Sequence, residues 1–501
     1  MPAVLRLLTL AGVATLFLVA APAHSEPLDS AAVDAIVKKS LETWRVSGVA
    51  VAIVRDGEVI YLKGRGVRAL DADDPVTPDT LFPIGSCTKA FTTTAMAILV
   101  DEGKMDWDDH VRKHLSYFHL SDPLADHDVR LRDLVCHRTG LASNDLLWYQ
   151  ASWSMEEMVR RAGRLPLDQP FRTRFQYQST MFTAAGLAVA SSADQPWQDF
   201  VQRRLFDPLG MTASCFTSTA AAKVADRAVG HRLNRLGRLE VVEYYPMEVP
   251  NPAGSIHSTA RDLSKWLIFQ LGDGRAGGKR LVSAANLAET HTPQMVIRLE
   301  GIERDLQPDT VQMSYGMGWV LQDYRGVGLC SHAGAIDGFR VHFTLIPEKK
   351  IGIVLLNNLQ HTHMNQALSN SLVDLLLGLP RKDWNAVCGR AVLKAEAAAA
   401  DKASEREARR KPDAAPSLPL TAYAGVYENP AYGEARVAVE KGVLVWTWNQ
   451  FRTPLDHYQF DEFTAPLEVI GSPHIVFTLN AEGNVSAMKV SEPMNAEFRR
   501  K

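Results

Sequence analysis

Two strand-pair patterns lie far apart in the chain, and together they bound what it can fold into. Val49 to Arg55 and Glu58 to Gly64 meet at Asp56-Gly57, a dipeptide that favours a tight hairpin. Arg340 to Ile346 and Ile351 to Asn357 form a second pair across Pro347-Glu348-Lys349-Lys350. Between the pairs the sequence reads mainly as helix, near residues 87–102, 183–192, 196–205 and 259–272. An apolar stripe of Val33, Ile36, Val37, Leu41 and Trp44 precedes the first pair, with Asp29 or Ser30 as its N-cap. These patterns predict an α/β fold: an antiparallel sheet flanked by helices, with an all-helical subdomain inserted between its first and last strands.

Composition changes abruptly at Ala391. An Ala-rich, charged helical stretch runs to Lys411 and is followed by Pro412, Pro416 and Pro419, which reads as an exposed linker over 391–418. Beyond it, short alternating runs such as Gly433 to Glu440 and Val443 to Trp448 predict a small β-barrel domain over 419–501. At the other end, Arg6 and the apolar run Leu7 to Ala21 precede small residues up to Ser25, the layout of a cleaved secretory signal peptide over 1–25. That run is shorter than the ~20 residues a membrane-spanning helix needs. The expectation is therefore an exported protein, periplasmic or extracellular, with no stable membrane anchor after cleavage. The main domain then covers 26–390.

With 54 basic against 57 acidic residues, the net charge of −3 gives no general attraction for nucleic acid. Five Cys are too few and too scattered for a disulfide scaffold, and being odd in number they leave at least one without an internal partner. There is no G-x-S-x-G elbow, H-E-x-x-H, phosphate-binding P-loop or G-x-G-x-x-G at a helix start, so several large enzyme classes drop out. His361 and His363 lack nearby carboxylates and are not read as a metal pair; no metal or cofactor is expected.

What remains is Ser-x-x-Lys, in which the two side chains share a face only on a helix. Ser486 to Lys489 lies in a strand-like run and is read as coincidence. Ser86 to Lys89 instead opens the apolar stretch Ala90 to Val100, at a helix N-terminus whose dipole favours negative charge developing on oxygen. Downstream, Tyr177-Gln178-Ser179 precedes a helix-like run, and His332-Ala333-Gly334 precedes the strand starting at Arg340. Cys87 is read as a small buried side chain rather than a thiol nucleophile, and Trp446 and Trp448 as core of the β-domain. Asp337 and Arg340 are candidates for the pocket lining, with Arg340 expected to pair with a carboxylate.

Taken in order, Ser86-x-x-Lys89, Tyr177-x-Ser179 and His332-x-Gly334 resemble the Ser-x-x-Lys, Tyr-x-Asn and Lys-Thr-Gly motifs of the serine β-lactamase-related family. That family includes class C β-lactamases, DD-peptidases, esterases and D-aminopeptidases. Leu134 to Leu141, Pro252 to Leu263 and Tyr315 to Trp319 support the match, which covers about residues 27–380, and the tail resembles a lipocalin-like domain. The resemblance implies that Ser86 forms an acyl-enzyme, with Lys89 and Tyr177 sharing its proton and Tyr177 the favoured base. It further implies an oxyanion hole made by the backbone N–H groups of Ser86 and Ala335. His332 is placed with the catalytic residues, Ser179 and Gly334 with those that bind substrate. Two departures bear on substrate: His332 stands where many relatives have Lys, which weakens capture of a carboxylate, and Ser179 replaces Asn. The expected activity is hydrolysis of small esters or amides, D-amino-acid peptides included. The alternatives are a β-lactamase or DD-peptidase, and a non-catalytic cell-wall peptide-binding protein. Oligomeric state is left open, with a homo-oligomer among the outcomes.

Overall fold

The computed structural model describes residues 28–70, 72–234, 236–467 and 471–501. The expected signal segment lies outside the described residues. Helix α1 (Ser30–Trp44) is capped by Asp29, whose carboxylate accepts from the Ala31 and Ala32 amides at 3.0 Å. Strands β1 (Gly48–Arg55) and β2 (Glu58–Gly66) follow as the expected hairpin. The inserted helical part contains α2 (Thr88–Asp101), α3 (Met155–Ala162), α4 (Ser179–Ala193) and α5 (Ala260–Leu271). Then come β3 (Met295–Ile297), β4 (Met313–Tyr315), β5 (Val320–Tyr324), β6 (Val327–Ile336), β7 (Phe339–Ile346) and β8 (Ile351–Asn357). Helices α6 (Met364–Leu376) and α7 (Trp384–Arg409) complete the first part.

These strands form one antiparallel sheet in the order β2-β1-β8-β7-β6-β5-β4-β3. Its first hairpin pairs directly with its last, with β1 zipped to β8 from Val49↔Asn357 to Arg55↔Ile351. Alternation explains why β1 is apolar almost throughout. Val49, Val51 and Ile53 pack into the core shared with Val33 and Val37 of α1 and Leu368 and Leu372 of α6, whereas Ala50, Ala52 and Val54 join the core containing Trp266 and Leu267 of α5. A strand covered on both faces has no polar side to show.

Strands β3 to β6 were not legible individually. His332-Ala333-Gly334, expected ahead of a strand, sits inside β6. The Ala-rich helix starts before the composition break, at Trp384, because Trp384, Cys388 and Ala391 are buried against the α6 side of the sheet. Beyond Ala391 α7 is largely exposed.

The C-terminal part is a nine-stranded antiparallel sheet in which Gly425–Asn429 pairs with the final strand, Ala496–Arg500. The two strands at its ends, Phe451–Pro454 and Asp456–Gln459, are separated by Leu455 alone, so the sheet curls into a nearly closed barrel. Trp446 and Trp448 are buried inside it. Ser486 and Lys489 there engage different partners, the Thr478 carbonyl and Glu497, in keeping with coincidence. The barrel's Asn429–Gly433 turn docks on the helical part. The Arg161 and Arg164 guanidinium groups donate to the Ala431 and Pro430 carbonyls at 3.0 and 3.1 Å, and the Tyr432 hydroxyl donates to Asn144 at 3.0 Å.

Candidate active site

Ser86 stands in a single 3-10 turn, Gly85–Cys87, that leads into α2. Gly85 has φ +51, and a Cβ there would lie 2.9 Å from the Ala335 nitrogen. Only glycine allows this turn to lie so close to β6. The sheet leaves room for it, because β5 pairs with β6 only as far as Val320↔Ser331, whereas β7 pairs with β6 on to Ile336↔Phe339. Residues 332–336 therefore present one unpaired edge to the Ser86 turn. Ser86 and Ala335, the two residues expected to furnish the oxyanion hole, line one cavity.

Lys89 lies one turn along and is fully buried. Its Nζ is 2.9 Å from Ser86 Oγ and 2.9 Å from the Ala253 carbonyl oxygen, and it sits 5.0 Å from the centre of the Tyr177 ring. No carboxylate contacts it among the described residues, so burial lowers its pKa from 10.5 to about 7, despite a smaller opposing influence of Asp145. Burial pushes the Tyr177 phenol well above the usual range, against a smaller lowering influence of Ser86. The environment thus favours a neutral amine on Lys89 and a protonated Tyr177, the reverse of the order expected from the resemblance.

Behind this pair is a neutral aromatic and imidazole cluster. His332 is buried: its Nδ1 lies 2.7 Å from the Ala333 carbonyl oxygen and its Nε2 2.9 Å from the Tyr315 hydroxyl. A carbonyl only accepts, so Nδ1 carries the proton and Nε2 accepts from Tyr315. Burial pushes its pKa down to about 3, with Lys89 adding to the effect. His332 is therefore uncharged, and Tyr315 occupies its outer nitrogen. His137, which lies in the family-like stretch Leu134 to Leu141 but was given no role there, holds the backbone on both sides of Tyr177. Its carbonyl accepts from Gln176 N at 2.8 Å, its Nδ1 accepts from Gln178 N at 3.0 Å, and its ring lies 4.2 Å from that of Tyr177.

Ser179 lines the cavity at the start of α4. Gly334 does not line it, and its expected role needs correction. A Cβ at Gly334 would fall 2.0 Å from the Ile84 carbonyl oxygen, so the glycine admits the nucleophile's own turn rather than a substrate. Arg340 also departs from expectation: among the described residues it bonds the Phe339 carbonyl and His361, not a carboxylate. Asp337 accepts from the Tyr149 hydroxyl at 2.6 Å and is not part of the Ser86 cavity. Cys87 is buried, its Sγ 3.4 Å from the His332 carbonyl oxygen and its thiol pKa raised by burial, which suits the inert role read from the sequence.

Residues 33–377 match the model of the family described as Beta-lactamase. The chain belongs to the β-lactamase family. Residues 409–500 match a second model, a domain of unknown function (DUF3471). Unguisins hydrolase ungD of Aspergillus violaceofuscus is 28% identical over 484 residues, covering 89% of this chain and 85% of that protein. Protein flp of Staphylococcus aureus is 25% identical over 66% of this chain and 64% of its own length. Among solved structures, the octameric penicillin-binding protein homologue from Pyrococcus abyssi shares the fold over 94% of this chain and 99% of its own, with a TM-score of 0.62 at 21% identity. D-amino acid amidase from Ochrobactrum anthropi SV3 matches 70% of this chain and 97% of its own at 25% identity, with a TM-score of 0.57.

In this member of the β-lactamase family the cavity wall is completed by residues remote in sequence: Trp148, Met247, Asn251 and Ile336. Gly186 of α4 lets the Asn251-Pro252 segment approach, because a Cβ there would meet Pro252 at 2.0 Å. Pro252 to Leu263 stood out in the sequence only as a family-like stretch; Asn251, immediately before it, carried no signal of its own.

Proposed function

We propose that the protein is an exported serine hydrolase that cleaves small esters or amides, D-amino-acid peptides included, through an acyl-enzyme on Ser86. The single observation that carries this reading is the contact of Ser86 Oγ with the buried, cation-poor Lys89 amine, on a cavity that also holds the Ala335 backbone. Lys89 as the free amine takes the Ser86 proton while Oγ adds to the substrate carbonyl carbon. The carbonyl electron pair moves to oxygen, where the Ser86 and Ala335 N–H groups stabilise it; losing one such donor typically costs about 10²–10³ in rate. Collapse expels the alcohol or amine, which departs with the proton relayed from Lys89 through the Tyr177 hydroxyl. Water then repeats the sequence on the acyl-enzyme, releasing the acid and restoring Ser86.

Substrate charge is argued from the lining. None of the side chains around the cavity is charged, and His332 is neutral where many relatives carry Lys. A penicillin or D-Ala-D-Ala carboxylate would find no cation there. The hydrolase and the D-amino acid amidase among the relatives agree with amide or ester cleavage. Export is supported by Arg6 and the run Leu7 to Ala21; the mature chain is expected to begin at Glu26, which N-terminal sequencing of secreted protein checks. Among the described residues no helix is long and apolar enough to cross a membrane.

The test is incubation with a p-nitrophenyl ester and with a fluorescent penicillin, beside Ser86→Ala. Ester turnover that disappears in the variant, with no penicillin adduct, is the expected outcome. Absence of turnover in the wild type overturns the reading, and a stable penicillin adduct moves it to the β-lactamase or DD-peptidase alternative.

A further inference from the structure

His137 stands in a conformation that a residue with a side chain rarely adopts, at φ +57. Its buried ring also leaves Nε2 without a hydrogen-bond partner among the described residues. Both features cost stability, and such costs persist where the surrounding structure holds a residue in place for its function. What the conformation achieves is a grip on Tyr177 from both sides. The His137 carbonyl accepts from Gln176 N at 2.8 Å while Nδ1 accepts from Gln178 N at 3.0 Å, so the backbone before and after Tyr177 is tied to one residue. A backbone N–H can only donate, which makes Nδ1 the bare nitrogen and puts the proton on Nε2. The ring lies 4.2 Å from that of Tyr177 and 4.5 Å from that of Tyr315. Burial, with Lys89 adding to the effect, holds the imidazole pKa well below 6.5, so Nδ1 keeps its lone pair wherever Lys89 is a free amine. The grip also has an anchored base. Arg172 N donates to the Arg138 carbonyl at 2.8 Å, and the fully buried Asp133 carboxylate accepts from Arg138 Nε at 2.5 Å and Arg172 Nη2 at 2.7 Å.

We propose that His137 is a positioning residue that holds the Tyr177 hydroxyl where it protonates the leaving group, and that it thereby extends the substrates from activated esters to alkyl esters and amides. The inference rests on the reading above, in which Ser86 is the nucleophile and Tyr177 relays the proton. As the bond from the carbonyl carbon to the leaving oxygen or nitrogen breaks, its electron pair stays with that atom, which takes the Tyr177 proton. The Lys89 ammonium returns a proton to the phenolate. An alkoxide or an amide anion is too basic to leave unprotonated, whereas p-nitrophenolate is not. Misplacing Tyr177 therefore penalises the first class of substrate and spares the second.

Ethyl butyrate and p-nitrophenyl butyrate share an acyl group and differ in this need. His137→Gly accepts the positive φ and removes Nδ1 with the ring; His137→Asn tolerates the same φ and offers Oδ1 to Gln178 N. Any general effect on Ser86 or Lys89 cancels in the ratio of kcat/KM for the ethyl to the p-nitrophenyl ester. The expected result is a fall of about 10- to 100-fold in that ratio for His137→Gly, recovery to within about threefold of wild type in His137→Asn, and no further fall when His137→Gly is added to Tyr177→Phe. A ratio that holds in folded His137→Gly, a fall that His137→Asn does not recover, or an equal fall in the Tyr177→Phe background overturns the proposal. So does a wild type that cleaves only the p-nitrophenyl ester. If the wild type cleaves neither ester, the hydrolase reading fails, and the grip is judged by hydrogen exchange of the peptide from Gln176 to Thr180. Exchange at least about tenfold faster in His137→Gly than in His137→Asn then upholds it, and equal exchange overturns it.

Discussion

The pKa order at the nucleophile decides which residue moves the proton. Burial penalises the cation and lowers the Lys89 pKa from its ordinary 10.5 to about 7 in the folded site. Hydrolysis that uses the free amine should therefore rise about tenfold per pH unit below about 7 and level off above it. The same shift governs stability, with an unusual sign for a lysine. Between those two values the unfolded chain binds more protons than the folded one, so Lys89 makes stability rise with pH across that window and costs most below it. Lys89→Met should abolish turnover yet raise the Tm near pH 6, with the gain fading as pH approaches 10; a Tm gain independent of pH would contradict the assignment. At this scale Ser86 and Lys89 were legible because both lie within one helical turn. His137 and Asn251 were not, since each acts through bonds to residues distant in sequence, Gln178 for one and Thr183 for the other.

The element that builds the site is β6 where it outruns β5. Its open edge at 332–336 receives the Ser86 turn, and Gly334 is the point of closest approach. Gly334→Ala would press a methyl group into the Ile84 carbonyl, displacing the turn at a cost of about 1–3 kcal/mol. The expected outcome is a lower Tm together with reduced ester hydrolysis; a variant with unchanged Tm and rate would refute the close approach. The hairpins β1–β2 and β7–β8 could be read from sequence because each is a long apolar run broken by a clear turn. Strands β3 and β4 are three residues each, too short for periodicity to register. His332 was recognisable by motif, but its neutrality comes from burial, with Lys89 adding to the effect, which no local pattern reveals.

On the scale of the whole molecule, the barrel contacts the site indirectly. Tyr432 reaches Asn144, the residue before the turn Asp145–Leu147, and the residue after that turn is Trp148 in the cavity wall. Asp145 in that turn accepts from the Trp148 indole at 2.8 Å and opposes the lowering of the Lys89 pKa. Tyr432→Phe removes the hydroxyl that Asn144 shares with the Met494 carbonyl, 3.3 Å away inside the barrel, and should lower kcat/KM by about 2- to 10-fold while the protein stays folded. Unchanged kinetics would mean that the barrel does not support the wall. The two-part organisation was legible from the composition break and the alternating tail. The docking was not, because Tyr432 reads in sequence as one more aromatic residue in a β-rich tail.

The central claim, a nucleophilic Ser86 activated by Lys89, is tested most directly by mass spectrometry of the protein after a fluorophosphonate probe. The account predicts one adduct, mapped to Ser86, formed faster as pH rises through about 7 and absent in Ser86→Ala. An unmodified protein, or an adduct on any other residue, would contradict it.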